Sequence, residues 1–546
     1  MRIIIDFNSF QREMKHITKT NYFRRTRSRL KLAYFPIFSF LPAVMAGFFY
    51  LPCASAQGYI PADPFYLLIN EKAQFDGLIP IQSNIFRPMF FNTDSMSFSF
   101  TLRSEGYYND NAPNQENMDV RYFSKGTAGF NSLQVAFNSP YFSFMAEPYL
   151  MSNKSLSVNG INRGGIFSVL NDRPLNVSQM PESGGLRNLL AFIHYKGVGF
   201  GWQEGNLWWG PGIHTSLQMT NNTHPIPAQI IGTIQELRIG SFGFYGLYTF
   251  ARLNEDPGYE AKYLTALNGQ LTWYGPVIIS AGFSRNYLSG GVLSSGGYVW
   301  TAKDASMLVF EGVFTSNLLD KEYTVGGHDV WDQTLSGYFS ITLPKRNIKM
   351  YAEVGFNDNR MYFADFLSQP DHTMATVFGI RDYGVGGSNN WLYGFEWSNL
   401  MLSYTIRHRG PGGTPAWYSR GLYDYSTYNG RRWGAHSGAD SDDWYIYAGY
   451  LSDKLMVVPA LNYERHGIVS HRPAEVKMEF RLDTRYKYKD TWFGIYYEKQ
   501  FEAFLGFPNY FYVDGQGNQI DASEGKLANT RRTNTIILSM SKTINF

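Results

Sequence analysis

The chain has 546 residues, 44% hydrophobic, 17% aromatic and only 17% charged, with 53 glycines, one cysteine and a formal charge of +3. A mean hydropathy of −0.27 is too polar for a bundle of membrane helices, and 39 Tyr, 42 Phe and 12 Trp exclude a disordered chain. What remains is a protein of strands, glycine turns and amphipathic aromatics: a large β sandwich, a propeller or a membrane β-barrel.

The first element is a leader. Residues 1–31 carry nine basic side chains against Asp6 and Glu13; the apolar run 32–51 follows, and Ala54-Ser55-Ala56 precede Gln57. A basic region, an apolar core and a small-x-small site describe a secretory signal peptide, 1–56, cleaved near Ala56. Either Met1 or Met14 serves as its start. Cys53 does not make a lipoprotein site, because Pro52 stands where a small residue is needed. Removing 1–56 takes the formal charge from +3 to −4, so no nucleic-acid partner is expected. The mature chain then holds no cysteine, which excludes disulfides, thiolate zinc sites and a cysteine nucleophile. Past the leader no apolar run is long enough for a membrane helix.

Residues 57–92 form a lead-in segment with one short helix. Asp63 suits the N-cap and Pro64 the first helical position; Phe65, Leu68 and Ile69 share a face, and Gly77 stops the helix. Such a helix lies on the periplasmic side, plugs a barrel, or is an ordinary terminal helix.

From residue 93 to 546 the pattern is all-β. Residues 95–102 alternate apolar even positions with hydroxyl odd ones. In 476–489 one face is Val476, Met478, Phe480, Leu482, Tyr486 and Tyr488, while the other is Lys477, Glu479, Arg481, Asp483, Arg485, Lys487 and Lys489. Residues 348–356 repeat the theme, with Lys349, Tyr351 and Glu353 opposite an apolar row. A sandwich would share this alternation. Spanning length, the aromatic ends at Tyr486 and Tyr488, and a last strand Ile536, Leu538, Met540, Lys542, Ile544, Phe546 favour a transmembrane antiparallel β-barrel. Closure satisfies every backbone group in lipid, and the mature length accommodates about 18 strands, with sixteen nearly as good. Outer-membrane lipid and the barrel-assembly machinery, engaged through the Phe546 strand, are the expected partners.

Two blocks stand out. The first holds Trp208-Trp209-Gly210-Pro211-Gly212, Asn221-Asn222 and Pro225-x-Pro227. The second runs from Arg407-His408-Arg409 through Tyr428-Asn429-Gly430-Arg431-Arg432-Trp433-Gly434 to His436-Ser437-Gly438-Ala439-Asp440-Ser441. In order and rough spacing they resemble the Wzi family of capsule-assembly outer-membrane proteins, and 61–88 is similar to that family's N-terminal region. The resemblance implies an eighteen-stranded barrel that binds capsular or exopolysaccharide in a lectin-like way and retains it at the cell surface. A departure is the missing N-terminal multi-helix bundle of some members, which puts periplasmic interactions of such a bundle in doubt.

Trp208, Trp209, Asn221, Asn222, Arg407, Arg431, His436 and Asp440 are the residue types a polysaccharide surface needs, since aromatic faces stack on sugar C–H faces and polar groups bond hydroxyls or acidic sugars. Four have an alternative: the tryptophans as girdle or wall packing, Arg431 and Asp440 as a lumenal ion-pair network. Asp440, Asp442 and Asp443 lack a calcium-ligand register, and no metal or cofactor is expected. A diffusion porin would show the same alternation but needs neither block. An enzyme is not expected: no G-x-S-x-G elbow occurs, and nothing in the sequence pairs His194, His214, His224, His408 or His436 with a serine.

Overall fold

The computed structural model describes the chain from Tyr59 to Phe546. Outside the description lie residues 1–58, and internally 61–62, 80–88, 91–95, 113, 115, 122–124, 154–160, 162, 164, 168–182, 206, 254–260, 292–323, 326–327, 330, 358–362, 404–415, 420–425, 430, 472, 509–510, 514–515, 517–518 and 522–528. The expected signal peptide, and Arg407 with its neighbours, therefore lie outside the described residues.

Alternation with period two builds one sheet. Strands β1 (Ser97–Asn109), β2 (Gly126–Asn138), β3 (Phe142–Asn153) and β4 (Gly184–Tyr195) come first. Next is β5 (Val198–Gly205), followed by β6, which runs over Ile226–Thr233 and resumes at Leu237–Ile239. Then follow β7 (Phe242–Leu253), β8 (Lys262–Tyr274), β9 (Ile278–Gly290) and β10 (Trp331–Leu343). The next three are β11 (Ile348–Asn357), β12 (Met374–Asp382) and β13 (Trp391–Asn399). Last come β14 (Ser441–Leu451), β15 (Leu455–His466), β16 (Glu475–Tyr488), β17 (Thr491–Ala503) and β18 (Arg531–Asn545).

Each strand pairs antiparallel with the next, and β18 returns to β1, with Thr535 opposite Asn109 and Asn545 opposite Ser99. The result is a closed antiparallel barrel of eighteen strands, as the alternation and length lead one to expect. Phe546 donates its N–H to Phe98 O at 2.8 Å, and its ring meets Phe98 and Phe100 at 6.0 Å, so the last residue seals the seam.

The faces fall as the alternation demands. In β16 the charged odd positions point inward, whereas Met478, Phe480, Tyr486 and Tyr488 are exposed on the exterior. Exposed aromatics ring both ends: Tyr141, Tyr195, Trp391 and Tyr486 near the short turns, Tyr108, Trp444 and Tyr463 near the long loops. Such girdles belong at lipid–water boundaries. Connections alternate between tight turns (139–141, 196–197, 240–241, 489–490) and long loops such as 206–225 and 400–440; in this architecture the short turns face the periplasm.

Three inward tyrosines lie flat over cross-strand glycines: Tyr338 over Gly282, Tyr351 over Gly379 and Tyr447 over Gly394. A Cβ on Gly394 would stand 2.1 Å from the Tyr447 ring, so only glycine leaves room for it. The rings cover backbone that would otherwise be bare, and they fix local register.

The expected N-terminal helix exists as a 3-10 turn, Pro64–Tyr66, running into α1 (Leu67–Phe75). Asp63 caps it, its Oδ1 accepting from Phe65 N at 3.1 Å. Gly77 follows at φ 74°, conformational freedom that favours glycine just past a helix. Of the three placements the sequence leaves open, the barrel interior is the one found. Asp63 Oδ2 accepts from Arg103 of β1 and Arg187 of β4, both at 2.9 Å, while Glu71 meets Lys349 of β11 (3.2 Å) and Arg381 of β12 (2.6 Å). The helix thus braces one wall against another. A second short helix, α2 (Phe363–Ser368), lies in the loop between β11 and β12 and is not foreseen by the sequence reading.

Candidate functional site

The two motif blocks meet inside the barrel. Residues 207–224, the first block, are buried throughout apart from half-buried Ile213. Three successive amides, those of Ile213, His214 and Thr215, donate to the Glu396 carboxylate of β13 at 2.9, 3.2 and 2.6 Å. Leu217 N and Ser216 Oγ donate to Glu353 Oε2 of β11 at 3.3 and 3.2 Å. The Gly210-Pro211-Gly212 turn is needed for this: a Cβ on Gly212 would lie 2.1 Å from Thr215 O. Pro211 O in turn accepts from Arg381 at 2.9 Å. The alternation of 348–356 places Glu353 on the polar face without assigning it a role, and Glu396 carries the same signal, inward parity on its strand.

The second block packs on the first. Thr220 N donates to Trp433 O (2.7 Å) and Thr220 Oγ1 to Gly434 O (2.9 Å). Asn222 Nδ2 donates to Arg432 O (3.1 Å), Arg431 Nε donates to Asn222 O (2.8 Å), and Tyr418 OH donates to Leu217 O (2.5 Å). The blocks are therefore one interior body, about 210 residues apart in sequence.

The structure brings most of the expected site residues into this body. Trp208 and Trp209 are 0% and 1% exposed; Trp209 bridges to Met219 and packs with Trp433 among Leu247, Ala266 and Leu288. Asn221 O accepts from Asp119 N at 2.8 Å, and Asn222 Oδ1 from Asn117 N at 3.2 Å, tying the loop after β1 to the block. Arg431, His436 and Asp440 are buried as well. Asp440 accepts from Val469 N (3.1 Å), Ser470 N (2.9 Å) and Ser470 Oγ (2.5 Å), closing the loop between β15 and β16. None of these seven presents its side chain to the outer surface.

Charges gather on one side. Arg121 of the β1–β2 loop and Arg187 both meet Asp119, at 3.2 and 2.7 Å, and Arg187 also meets Glu147 at 3.0 Å. Burial alone would raise the Asp63 pKa. The fields of Arg121, Arg187 and Arg103 outweigh it and hold that carboxyl well below the usual range. Nearer the second block, Asp443 Oδ2 of β14 lies 3.0 Å from His214 Nε2 and 3.1 Å from His436 Nε2. Burial pulls His214 below the ordinary imidazole value; for His436 the Asp443 contact prevails over burial and raises it. Burial and Arg431 push His224 down to about 3. Arg432 stacks on Tyr418 at 4.9 Å, and burial lowers it to about 10.

A serine–histidine contact does exist, although the sequence reading found none. Ser143 Oγ lies 2.8 Å from His194 Nε2. Gly197 N donates to Nδ1 of the same ring at 3.2 Å, so the neutral ring carries its proton on Nε2 and is no base for that serine.

No protein-family model and no curated protein matches the chain. Among solved structures it is similar to Wzi of Escherichia coli, described as a carbohydrate-binding β-barrel involved in group 1 capsule assembly. That likeness has a TM-score of 0.50 and 11% identity, over 89% of this chain and 94% of Wzi. It also matches OccAB3 of Acinetobacter baumannii (TM-score 0.37, 10% identity, 83% and 100% covered) and the outer membrane protein OprD of Pseudomonas aeruginosa (0.38, 7%, 83% and 94%). At such identities the likeness is one of fold: a barrel of the outer-membrane type.

Proposed function

We propose that this protein resides in the outer membrane and binds capsular or exopolysaccharide at the cell surface, helping to assemble or retain it, without acting as an enzyme. The observation that carries the reading is the interior body that the described residues build within the lumen. Inward charges of β14–β17, such as Asp443, Glu464, Glu479 and Glu498, are no more than 3% exposed, and they meet the β1–β2 loop, the two blocks and one another's cations. A diffusion channel keeps such groups in water. An interior body that supports the outer loops suits a receptor instead.

In this reading Trp208, Trp209, Asn221, Asn222, Arg431, His436 and Asp440 hold the interior body in shape. Arg407, at the start of the second block, offers a cation to acidic sugars. The wild-type barrel in detergent is expected to be retained on immobilised surface polysaccharide, and Trp209→Ala with Arg431→Ala to lose most of that retention. In liposomes it should give no swelling with small sugars. Rapid solute flux together with absent retention would instead mark a substrate-specific channel.

A further inference from the structure

The loop after β1, the first block, the second block and the barrel wall converge on one point. Each delivers a metal-ligating side chain there: Glu116, His214, His436 and Asp443. We propose that these four residues form a site for a divalent transition-metal ion of the zinc class, which pins the interior body to the wall.

The geometry points to it first. One ligand atom from each of Glu116, His214 and His436 lies within 4.8 Å of the other two. Asp443 Oδ2 stands 3.0 and 3.1 Å from the two imidazole Nε2 atoms, and Glu116 Oε2 stands 3.7 Å from His436 Nε2. Ligand atoms held at about 2.1 Å around one ion lie roughly 3–3.5 Å apart, the same scale. Two imidazoles with two carboxylates suit zinc and its first-row neighbours; calcium and magnesium take oxygen ligands.

Hydrogen bonding is unsatisfied without an ion. The close contacts of Asp443 Oδ2 with the two imidazole Nε2 atoms lack hydrogen-bond alignment, and Nδ1 of His436 has no hydrogen-bond partner, although the His436 and Asp443 side chains are at most 1% exposed. His214 Nε2 faces the Asp443 oxygen and, at 3.2 Å, the Asn462 Nδ2 donor. A ring proton there opposes the amide, and a lone pair opposes the carboxylate. A cation removes the second conflict. Buried polar groups left in this state cost free energy, so the arrangement needs a further partner.

The outer shell is in place too. Asn462 Nδ2 donates to Asp443 Oδ1, which leaves Oδ2 directed at the imidazoles. Arg481 donates to Glu116 at 2.5 Å, and the His214 ring stacks on Tyr445 with centroids 4.1 Å apart. Supports of this kind orient ligands in metal sites. Charge agrees: among the described residues Glu116, Glu464, Glu479 and Glu498 are joined through Lys477, Arg481 and His466, while Asp443 pairs with His214 and His436. Five carboxylates against three such cations leave room for a divalent ion. A cavity of about 120 Å³ lined by Glu116, His214, Tyr445 and Arg481 borders the site and supplies a way in. These ligands are scattered over about 330 positions, so no local spacing in the sequence announces them.

The test uses the full barrel purified in detergent without chelators. Elemental analysis should find about one equivalent of zinc or a neighbouring metal per chain. After stripping, Co²⁺ should give saturable visible ligand-field bands that Zn²⁺ abolishes and that His214→Gln or His436→Gln weakens at least tenfold. Zn²⁺ should also raise the Tm of the stripped wild type. A folded wild-type barrel with no bound metal and no saturable Co²⁺ spectrum overturns the site. Both readouts are independent of polysaccharide retention, so failure here and failure of the receptor reading remain distinguishable.

Discussion

Two sectors of the same lumen are held in opposite ways. Along the middle of β7–β10 the inward side chains are neutral: Leu247, Thr249 and Ala251, then Leu264, Ala266, Asn268 and Gln270, then Ser280, Ser284 and Asn286, then Ser336, Tyr338 and Ser340, with the charged Lys262 and Asp332 only at the long-loop ends of β8 and β10. Trp209, Met219 and Trp433 pack into this side. Along β14–β17 and on β1, β3 and β4 charged side chains stand among the inward positions, and they grip the helix and the β1–β2 loop through Asp63, Glu116 and Asp119. Shape and dispersion hold the first sector, where the loss of one residue leaves a void. Mutual charge compensation holds the second, where the loss of one residue strands its partners.

Breaking the ionic sector should give the largest effect. Asp63→Ala leaves Arg103, Arg121 and Arg187 short of a buried counter-charge, a loss of about 3–5 kcal/mol. Urea unfolding of the reconstituted barrel measures it, and limited proteolysis should show α1 released. Acid should mimic the change in part. The Asp63 pKa is lowered in the folded state, so its contribution is present above the ordinary carboxylate value of about 4 and is lost as pH falls below it. Unchanged stability on acidification would show that the helix is held by its apolar face instead.

In the neutral sector, Trp209→Ala should cost about 3 kcal/mol through the cavity it opens. Unlike the loss from Asp63→Ala, which should shrink as pH falls below about 4, this loss should stay the same there; a pH-dependent loss would erase the distinction between the sectors. A smaller effect is expected in the wall. Gly394→Ala pushes Tyr447 off its seat at about 1–3 kcal/mol, and a second change, Tyr447→Ala, should relieve part of that strain in a double-mutant cycle.

The smallest effect should fall on Arg432. It is buried with Nε and Nη1 unpartnered and meets a ring where its counterparts meet carboxylates. Arg432→Met should therefore leave Tm unchanged or raise it slightly. A drop of several degrees would reveal that the cation supports the body through its stacking on Tyr418.

Parity decided what could be read from the chain. A period of two assigns every strand residue to lipid or lumen, so the inward row Lys477 to Arg485 and a closed barrel ending in the Phe546 strand were legible, whereas chain length alone left sixteen strands nearly as good as the eighteen found. The Asp63 cap was legible because capping is local. Whether a long loop folds inward has no period. That Thr220 would bond Trp433, or that His214 would meet His436, depends on register around the whole barrel. For the same reason Trp208 and Arg431 were recognisable as residues set apart, while their burial was not.

The N-terminal brace also carries a message about the order of assembly. Residues 63–75 precede the first wall strand yet end up enclosed by a ring that shuts only when the final strand meets the first. Once that ring is complete, the enclosed piece leaves only through an end of the cylinder, after its ion pairs come apart. Capture of the early segment before or during the last zippering event spares it from threading in through an end of the finished cylinder. A chain lacking its final strand would hold that segment in an open trough, where water competes for each arginine.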